Sequence, residues 1–322
     1  MLERIWITWE IQRRNRSMSR AMEASLHELV FNGAAWRRYP VLIIKTSRLL
    51  YKTRPGIVFV QNPSVVLTML VLLISRILRY QVIIDAHNAG LFPLEGSKGW
   101  LNKIAMRINK SASVVIVTND ELKQYVEDNG GKACSIPDPI PEIACTKKSE
   151  LHEGSFDVVC VSSWADDEPY REVIAAAGLL GDSVRIYMTG NSKGRHVVEG
   201  RAMPQNVVLT GFISNEEYED LICTCDAVMV LTSRENCLVC GAYEGVAVEK
   251  PLILSSTKAL KKYFCLGAVY AENTADSIAE SIRKVRDGHE QLLIDIRNFK
   301  ENAIKAAENI IAEFKTMFER DR

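Results

Sequence analysis

The sequence predicts an α/β protein with a doubly wound parallel sheet in each of two halves, and three observations carry that prediction. Short runs rich in Val and Ile recur along the chain, and they are apolar throughout rather than alternating. Segments with helical spacing lie between them, and a proline-rich stretch interrupts the pattern near the middle. A strand of a parallel sheet is covered by helices on both faces, which is why its apolar run is unbroken. Strand and helix in alternation then define the class.

Taken in order, Ile5–Thr8 is the first strand and Ser17–Val30 has helical spacing. Ile57–Gln61, Gln81–Asp85 and Ser113–Thr118 continue the sheet, separated by helical Ser64–Arg79 and followed by helical Asp120–Asn129. Pro137, Pro139 and Pro141 then remove backbone donors and block helix, and a polar stretch runs on to Gly154. This predicts an N-terminal domain over residues 1–145 and a C-terminal domain over 146–302. In the second, the strands are Asp157–Ser162, Val184–Thr189, Asn206–Thr210, Ala227–Thr232 and Leu252–Ser255, with a helix over Asn215–Cys223. Residues 290–322 carry few helix breakers, and the helix over about 303–322 is expected to pack back on the first domain.

The 322 residues suffice for two cores, and 47% hydrophobic with 25% charged residues excludes disordered and fibrous classes. Val65–Ile74 is too short to span a bilayer, and the first residues lack the apolar core of a secretory signal. Eight cysteines scattered through a long chain point to reduced thiols and a cytoplasmic protein, at the inner face of the membrane if peripheral. The net charge of zero hides a split. Residues 1–110 hold 17 Lys+Arg against 6 Asp+Glu, a formal +11, and the remainder a formal −11. The first half therefore meets something anionic, or the halves simply attract each other. Few aromatics interleave with the basic residues, which argues against nucleic acid. Ser64–Arg79 reads as a buried core helix. With the basic residues of 13–20 and 37–54 it would also make a docking surface on an anionic leaflet, each cation contributing about 1 kcal/mol.

G-x-G-x-x-G, Walker A and H-E-x-x-H motifs are absent, and no D-x-D is present to hold a donor through a divalent metal. GNSKG at Gly190–Gly194 matches a hydrolase elbow only formally, without an HGGG-type oxyanion loop. Cys223-x-Cys225 and Cys237-x-x-Cys240 have zinc-like spacing, but apolar neighbours make Cys223 and Cys225 small hydrophobes, so no metal is expected. Asp166-Asp167-Glu168 reads as a loop leading into a helix N-terminus. The richest segment is Val228–Ser256: a strand, a polar loop, a helix opening at Cys240-Gly241, and a second strand after Pro251. A helix opening there offers unpaired N–H groups and a positive dipole end to a diphosphate. Glu244, one turn in, suits ribose hydroxyls.

This segment resembles the donor motif of the retaining glycosyltransferases of family 4, which have the GT-B fold: two Rossmann-like domains facing a central cleft. The counterparts of the family's two glutamates are Glu235 and Glu244, followed by Gly245, Ala247, Lys250 and Pro251. Eight residues rather than seven separate the glutamates, so strict register would put Asn236 in the first place, and Gly245 and Glu249 replace the usual Ala and Gly. VIIDAHNAG resembles the strand ending in a histidine that faces the donor sugar, here His87. Gly211 and Phe212 stand where the nucleotide base sits. The resemblance implies metal-independent transfer from a nucleotide-sugar, most commonly a UDP-sugar, to a glycan or lipid-linked acceptor with retention. His87 and Glu235 would position the sugar, Glu244 the ribose, and Cys240, Gly241, Lys193 and Arg234 the diphosphate. The usual glycine-rich first loop is replaced by WEIQRRNRSMSR, whose Arg13, Arg14 and Arg16 would hold an acceptor phosphate or line a solvated helix face. Two other readings stand beside transfer: a degenerate relative that binds without reacting, and a nucleotide-sugar epimerase on the same fold.

Overall fold

The computed structural model describes residues 3–62, 64–86, 88–93, 98–145, 154–192 and 203–319. They form two compact units, residues 1–139 with 306–322, and residues 140–305. The division falls a few residues before the boundary expected from the prolines.

Unit 1 is built on β1 (Arg4–Thr8), β2 (Ser25–Glu28), β3 (Ile57–Asn62), β4 (Gln81–Ala86), β5 (Val114–Val117) and β6 (Ala133–Ser135), all parallel, in the order β2-β1-β3-β4-β5-β6. Register places Ile5 opposite Val58, Val58 opposite Val82, and Ile84 opposite Val115. Alternate side chains therefore serve opposite faces. Ile7, Val60, Ile84 and Val117 pack under α2 (Ala35–Thr53), α3 (Val65–Leu78), α5 (Gly99–Lys110) and α6 (Asp120–Asp128), α4 (Asn88–Leu91) being a single turn after β4. Trp6, Phe59, Ile83 and Ile116 pack under α1 (Arg13–Ala21) and the end of α12 (His289–Glu319), whose Phe314 is fully buried. Trp6 stacks on Phe59 at 5.3 Å.

The helix expected over Ser17–Val30 is corrected. α1 stops at Ala21, Glu23 takes a left-handed φ of 54°, and Ser25–Glu28 pairs with β1 as an edge strand. The 19-residue α2 carries Pro40 in its second turn, where the missing N–H costs one hydrogen bond and not the helix. α3 is capped by Ser64, whose side chain accepts from the Leu67 N–H, and ends at Arg79 with a left-handed φ of 59°. No helix among the described residues is long and apolar enough to cross a membrane.

Unit 2 repeats the plan with β7 (Phe156–Cys160), β8 (Val184–Thr189), β9 (Val207–Gly211), β10 (Ala227–Val230), β11 (Leu252–Ser255) and β12 (Ala268–Ala271), in the order β12-β11-β10-β7-β8-β9. Two cores flank this sheet. One lies under α7 (Tyr170–Gly178) and α11 (Ala275–Asp287). The other lies under α8 (Asn215–Thr224), α9 (Cys240–Ala247), α10 (Lys258–Tyr263) and the first part of α12.

Cys145 and Cys223 form a disulfide across 78 positions of sequence. This corrects the expectation of eight reduced thiols, removes thiol usage as an argument for a reducing compartment, and takes Cys223 out of any zinc set. The other six cysteines are not in disulfides.

Candidate functional site

In an open parallel sheet, ligands bind beyond the carboxyl ends of the strands, where strand order reverses. In unit 2 that point lies between β7 and β10, which pair in parallel while β8 and β9 lie on one side and β11 and β12 on the other. The loops that follow β7 and β10 therefore flank the candidate site, and most of the expected donor residues are on them or on the helices they open.

Glu244 is half-buried in α9 and accepts a hydrogen bond from the Tyr218 hydroxyl of α8. Helix α8 starts three residues beyond Phe212, where Ser214 and Glu217 form a reciprocal capping box. Tyr218 thus ties the β9–α8 connection, which carries Gly211 and Phe212, to the helix carrying Glu244. Gly211 has φ +68°, a turn glycine can make, and the Phe212 ring is 91% exposed. An open aromatic ring is a stacking platform for a planar base. α9 opens at Cys240 behind Val239, which supplies no side-chain acceptor to its first turn. The glycine at 241 is explained by packing: a Cβ there would lie 2.9 Å from Val161 Cγ1 and 3.1 Å from Val230 Cγ2. Gly245, one turn on, meets Leu252 and Val228 in the same way, so a smooth helix face lies against the sheet.

Arg234 follows β10 and its guanidinium pairs with Asp167 at 3.1 Å. Asp167 also accepts from the Thr232 hydroxyl at 2.6 Å. Glu235 is exposed and accepts from the Lys258 N–H of α10 at 3.4 Å, and Asn236 is exposed beside it. Lys193 and His87 lie outside the described residues.

The loop after β7 is a feature that sequence reasoning missed. Glu168 accepts from the Ser162 and Ser163 hydroxyls at 2.6 and 2.7 Å and from the Trp164 N–H at 2.9 Å. Trp164 is buried with a left-handed φ of 62°, and its indole donates to the Thr189 carbonyl at 2.9 Å. A bulky residue in that conformation marks stored strain, which concentrates at functional sites. Gly190 must be glycine: its φ is +84°, and a Cβ would lie 2.2 Å from the Ser162 carbonyl oxygen. The SSW…E run with TG after the next strand is the sequence signal that would have found this lock.

In unit 1 the strand order reverses between β1 and β3. The Thr8 hydroxyl donates to Gln61 Oε1 at 2.6 Å, Asn15 Nδ2 to the same oxygen at 2.8 Å, and Trp6 Nε1 to Asn15 Oδ1 at 3.0 Å. This buried network holds the first loop where a glycine turn was absent. Arg14 is buried; Nε and Nη2 donate to Asp85 at 3.0 and 2.7 Å, and Nη1 donates to Asp138. Burial alone would pull its pKa down, but Asp138 and Asp85 outweigh it and hold the guanidinium above its ordinary value. Arg14 is thus spent inside unit 1 and is not an open cation for a phosphate. Arg16 is half-exposed and pairs with Glu28 at 3.4 Å, and the side chain of Arg13 lies outside the described residues.

No model of a protein family matches the chain, and no curated protein matches it. Solved structures do. HepE of Anabaena, in complex with UDP-glucose, superposes with a TM-score of 0.71 at 13% identity, covering 95% of this chain and 90% of that one. Sucrose-phosphate synthase of Thermosynechococcus elongatus gives 0.69 at 13% identity over 91% and 81%. A protein of Listeria monocytogenes proposed to be a UDP-N-acetylglucosamine 2-epimerase gives 0.61 at 10% identity over 99% and 97%. At these identities the likeness is one of fold. The chain has the two-domain, Rossmann-like GT-B fold.

Proposed function

We propose that the chain is a glycosyltransferase that moves a sugar from a nucleotide-sugar, a UDP-sugar first among them, to a glycan or lipid-linked acceptor. The observation that carries this reading is the Tyr218–Glu244 hydrogen bond, which joins the proposed ribose carboxylate to the helix that follows Phe212. Glu244 would accept hydrogen bonds from the ribose hydroxyls and Phe212 would stack on the base. The first turn of α9 and Arg234, steadied by Asp167, would face the diphosphate.

In the reaction the bond between the anomeric carbon and the diphosphate oxygen breaks. The acceptor oxygen bonds to that carbon on the same face, and its proton passes to the leaving diphosphate. Retention follows from that front-face course, the one usual for the family resembled. Charge grows on the diphosphate as the bond breaks, so donors already aimed at it lower the barrier. His87 and Glu235 would hold the sugar in place, and the basic unit 1 would hold the acceptor. Arg14 has no part in this proposal. No metal ion is invoked.

The test is thermal shift with UDP, GDP and ADP on the wild type, Glu244→Ala and Phe212→Ala. A bound nucleotide stabilises by about 2.7 kcal/mol at a hundredfold excess over its dissociation constant. One nucleotide is expected to raise the wild-type melting temperature and to lose that effect in Glu244→Ala. A folded wild type that responds to none of the three would sink the reading. The near-complete mutual coverage with the Listeria structure favours epimerisation as the second reading. A product formed from UDP-N-acetylglucosamine without any acceptor would select it.

A further inference from the structure

We propose that the outer face of α2, α3 and α5 in unit 1 docks on an anionic lipid bilayer. This inference does not rest on the transferase reading. The strand order sends α2, α3 and α5 across the sheet in one direction, so right-handed crossovers put all three on the same side, with α1 on the other. α2 packs on α3, and α3 on α5.

Their outward residues are not those of an ordinary solvated layer. Val66, Met69, Leu73 and Ile77 form one stripe along α3 at spacings of 3, 4 and 4, and Leu73 and Ile77 are 56% and 66% exposed. The chain has five tryptophans, of which Trp6, Trp9 and Trp164 are buried. The two exposed ones, Trp36 on α2 and Trp100 on α5, both belong to this layer. The three helices carry nine Lys or Arg and no Asp or Glu. No ion pair joins any of the nine to a described residue. Between α3 and α5 lies a groove of about 340 Å³, with Met69, Leu72, Leu73 and Ile104 along it and Arg76 and Arg107 beside them.

Apolar side chains ringed by cations, with tryptophans among them, match the boundary between acyl chains and anionic headgroups. The groove suits an acyl chain, and Arg76 and Arg107 suit the phosphate above it. A second copy of this face is a poor occupant, because a two-fold contact would set nine cations against nine.

The test uses the full chain with vesicles of phosphatidylcholine alone and of phosphatidylcholine with about one-third phosphatidylglycerol. Cosedimentation is expected with the second and not the first, and to weaken with added salt. Trp36 and Trp100 fluorescence should shift to the blue on the anionic vesicles, a readout that needs no variant. Leu73→Glu/Ile77→Glu and Arg76→Glu/Arg107→Glu change exposed positions and should each lower partition by about tenfold or more. The proposal is overturned if the wild type ignores anionic vesicles, if it binds both kinds equally, or if Leu73→Glu/Ile77→Glu binds as the wild type does. It is also overturned if the wild type is a dimer in solution that Leu73→Glu/Ile77→Glu dissolves, since the face would then join two copies.

Discussion

Reducing the Cys145–Cys223 bond should cost unit 2 a large part of its stability. The bridge spans 78 positions, and the chain-entropy relation assigns a loop of that length about 4.5 kcal/mol at room temperature. Domains are typically stable by about 5–15 kcal/mol, so the reduced unit would be marginal. Cys145 is exposed, which gives a reductant access without unfolding. Two measurements on never-reduced protein decide the matter. Titration of thiols in denaturant should find six, rising to eight after reduction. Urea unfolding should move to lower denaturant on reduction, by about 2 M for a slope of about 2 kcal/mol per molar. Cys145→Ser should match the reduced wild type and no longer respond to reductant. In the folded protein the buried thiols will stay silent, because burial pushes Cys160 up to about 12 and raises Cys225 as well. Eight thiols at the outset, or an unfolding midpoint indifferent to reductant, would refute the reasoning.

Other consequences are open to the same instruments. Arg14→Met strands the buried Asp85 and the partly exposed Asp138 and should cost about 3–5 kcal/mol in urea unfolding, while Arg14→Met with Asp85→Leu recovers much of it. Gly190→Ala sets a Cβ against the Ser162 carbonyl at positive φ and should destabilise unit 2 by about 3 kcal/mol or more, read from its melting temperature. Tyr218→Phe removes one hydrogen bond from Glu244 and should weaken nucleotide binding by about fivefold with little change in melting. Glu249 is held below the ordinary carboxylate range by the Lys300 hydrogen bond first and by Arg297 after it. Its folded pKa is the lower one, so its stabilisation is present at neutral pH and lost as pH falls through that value. The pair is partly exposed, so wild type and Glu249→Gln should differ by less than about 1 kcal/mol near neutrality and converge in acid.

What the sequence revealed of the fold was its doubly covered interior. β1, β3, β4, β5, β7, β8, β10 and β11 were legible because burial on both faces writes an unbroken apolar run, and β9, itself at an edge, by its Val-Val-Leu run. The strands that escaped notice, β2, β6 and β12, are edge strands, and SLHE has only one neighbour to pair with and little to bury. α2 went unseen behind Pro40. At the proposed donor end, Glu244 and Phe212 were singled out by their order along the chain, but the Tyr218 hydroxyl bonded to Glu244 was not, since a lone tyrosine in a helix says nothing of what its hydroxyl reaches. Asp85 was visible as a charge inside VIIDA, and such a charge demands a buried partner, which proved to be Arg14. The departure of Glu249 from the usual glycine also has an account: the position is left-handed, φ +57°, and the two cations of α12 offset the strain a side chain incurs there.

The burial of Phe314 among Trp6, Met18, Met22 and Phe59 sets the order in which the molecule can be finished on the ribosome. Strands β1 to β6 emerge early, yet one face of their sheet waits for a side chain encoded 175 positions after Pro139. At translation rates of about 5–20 residues per second, that interval is on the order of ten to thirty seconds. Throughout it the part of the nascent first unit's surface that Ile310, Ile311 and Phe314 cover stays open. A chaperone that recognises exposed aromatic surface would find its opening there, and premature termination anywhere before residue 314 would leave that surface permanently uncovered.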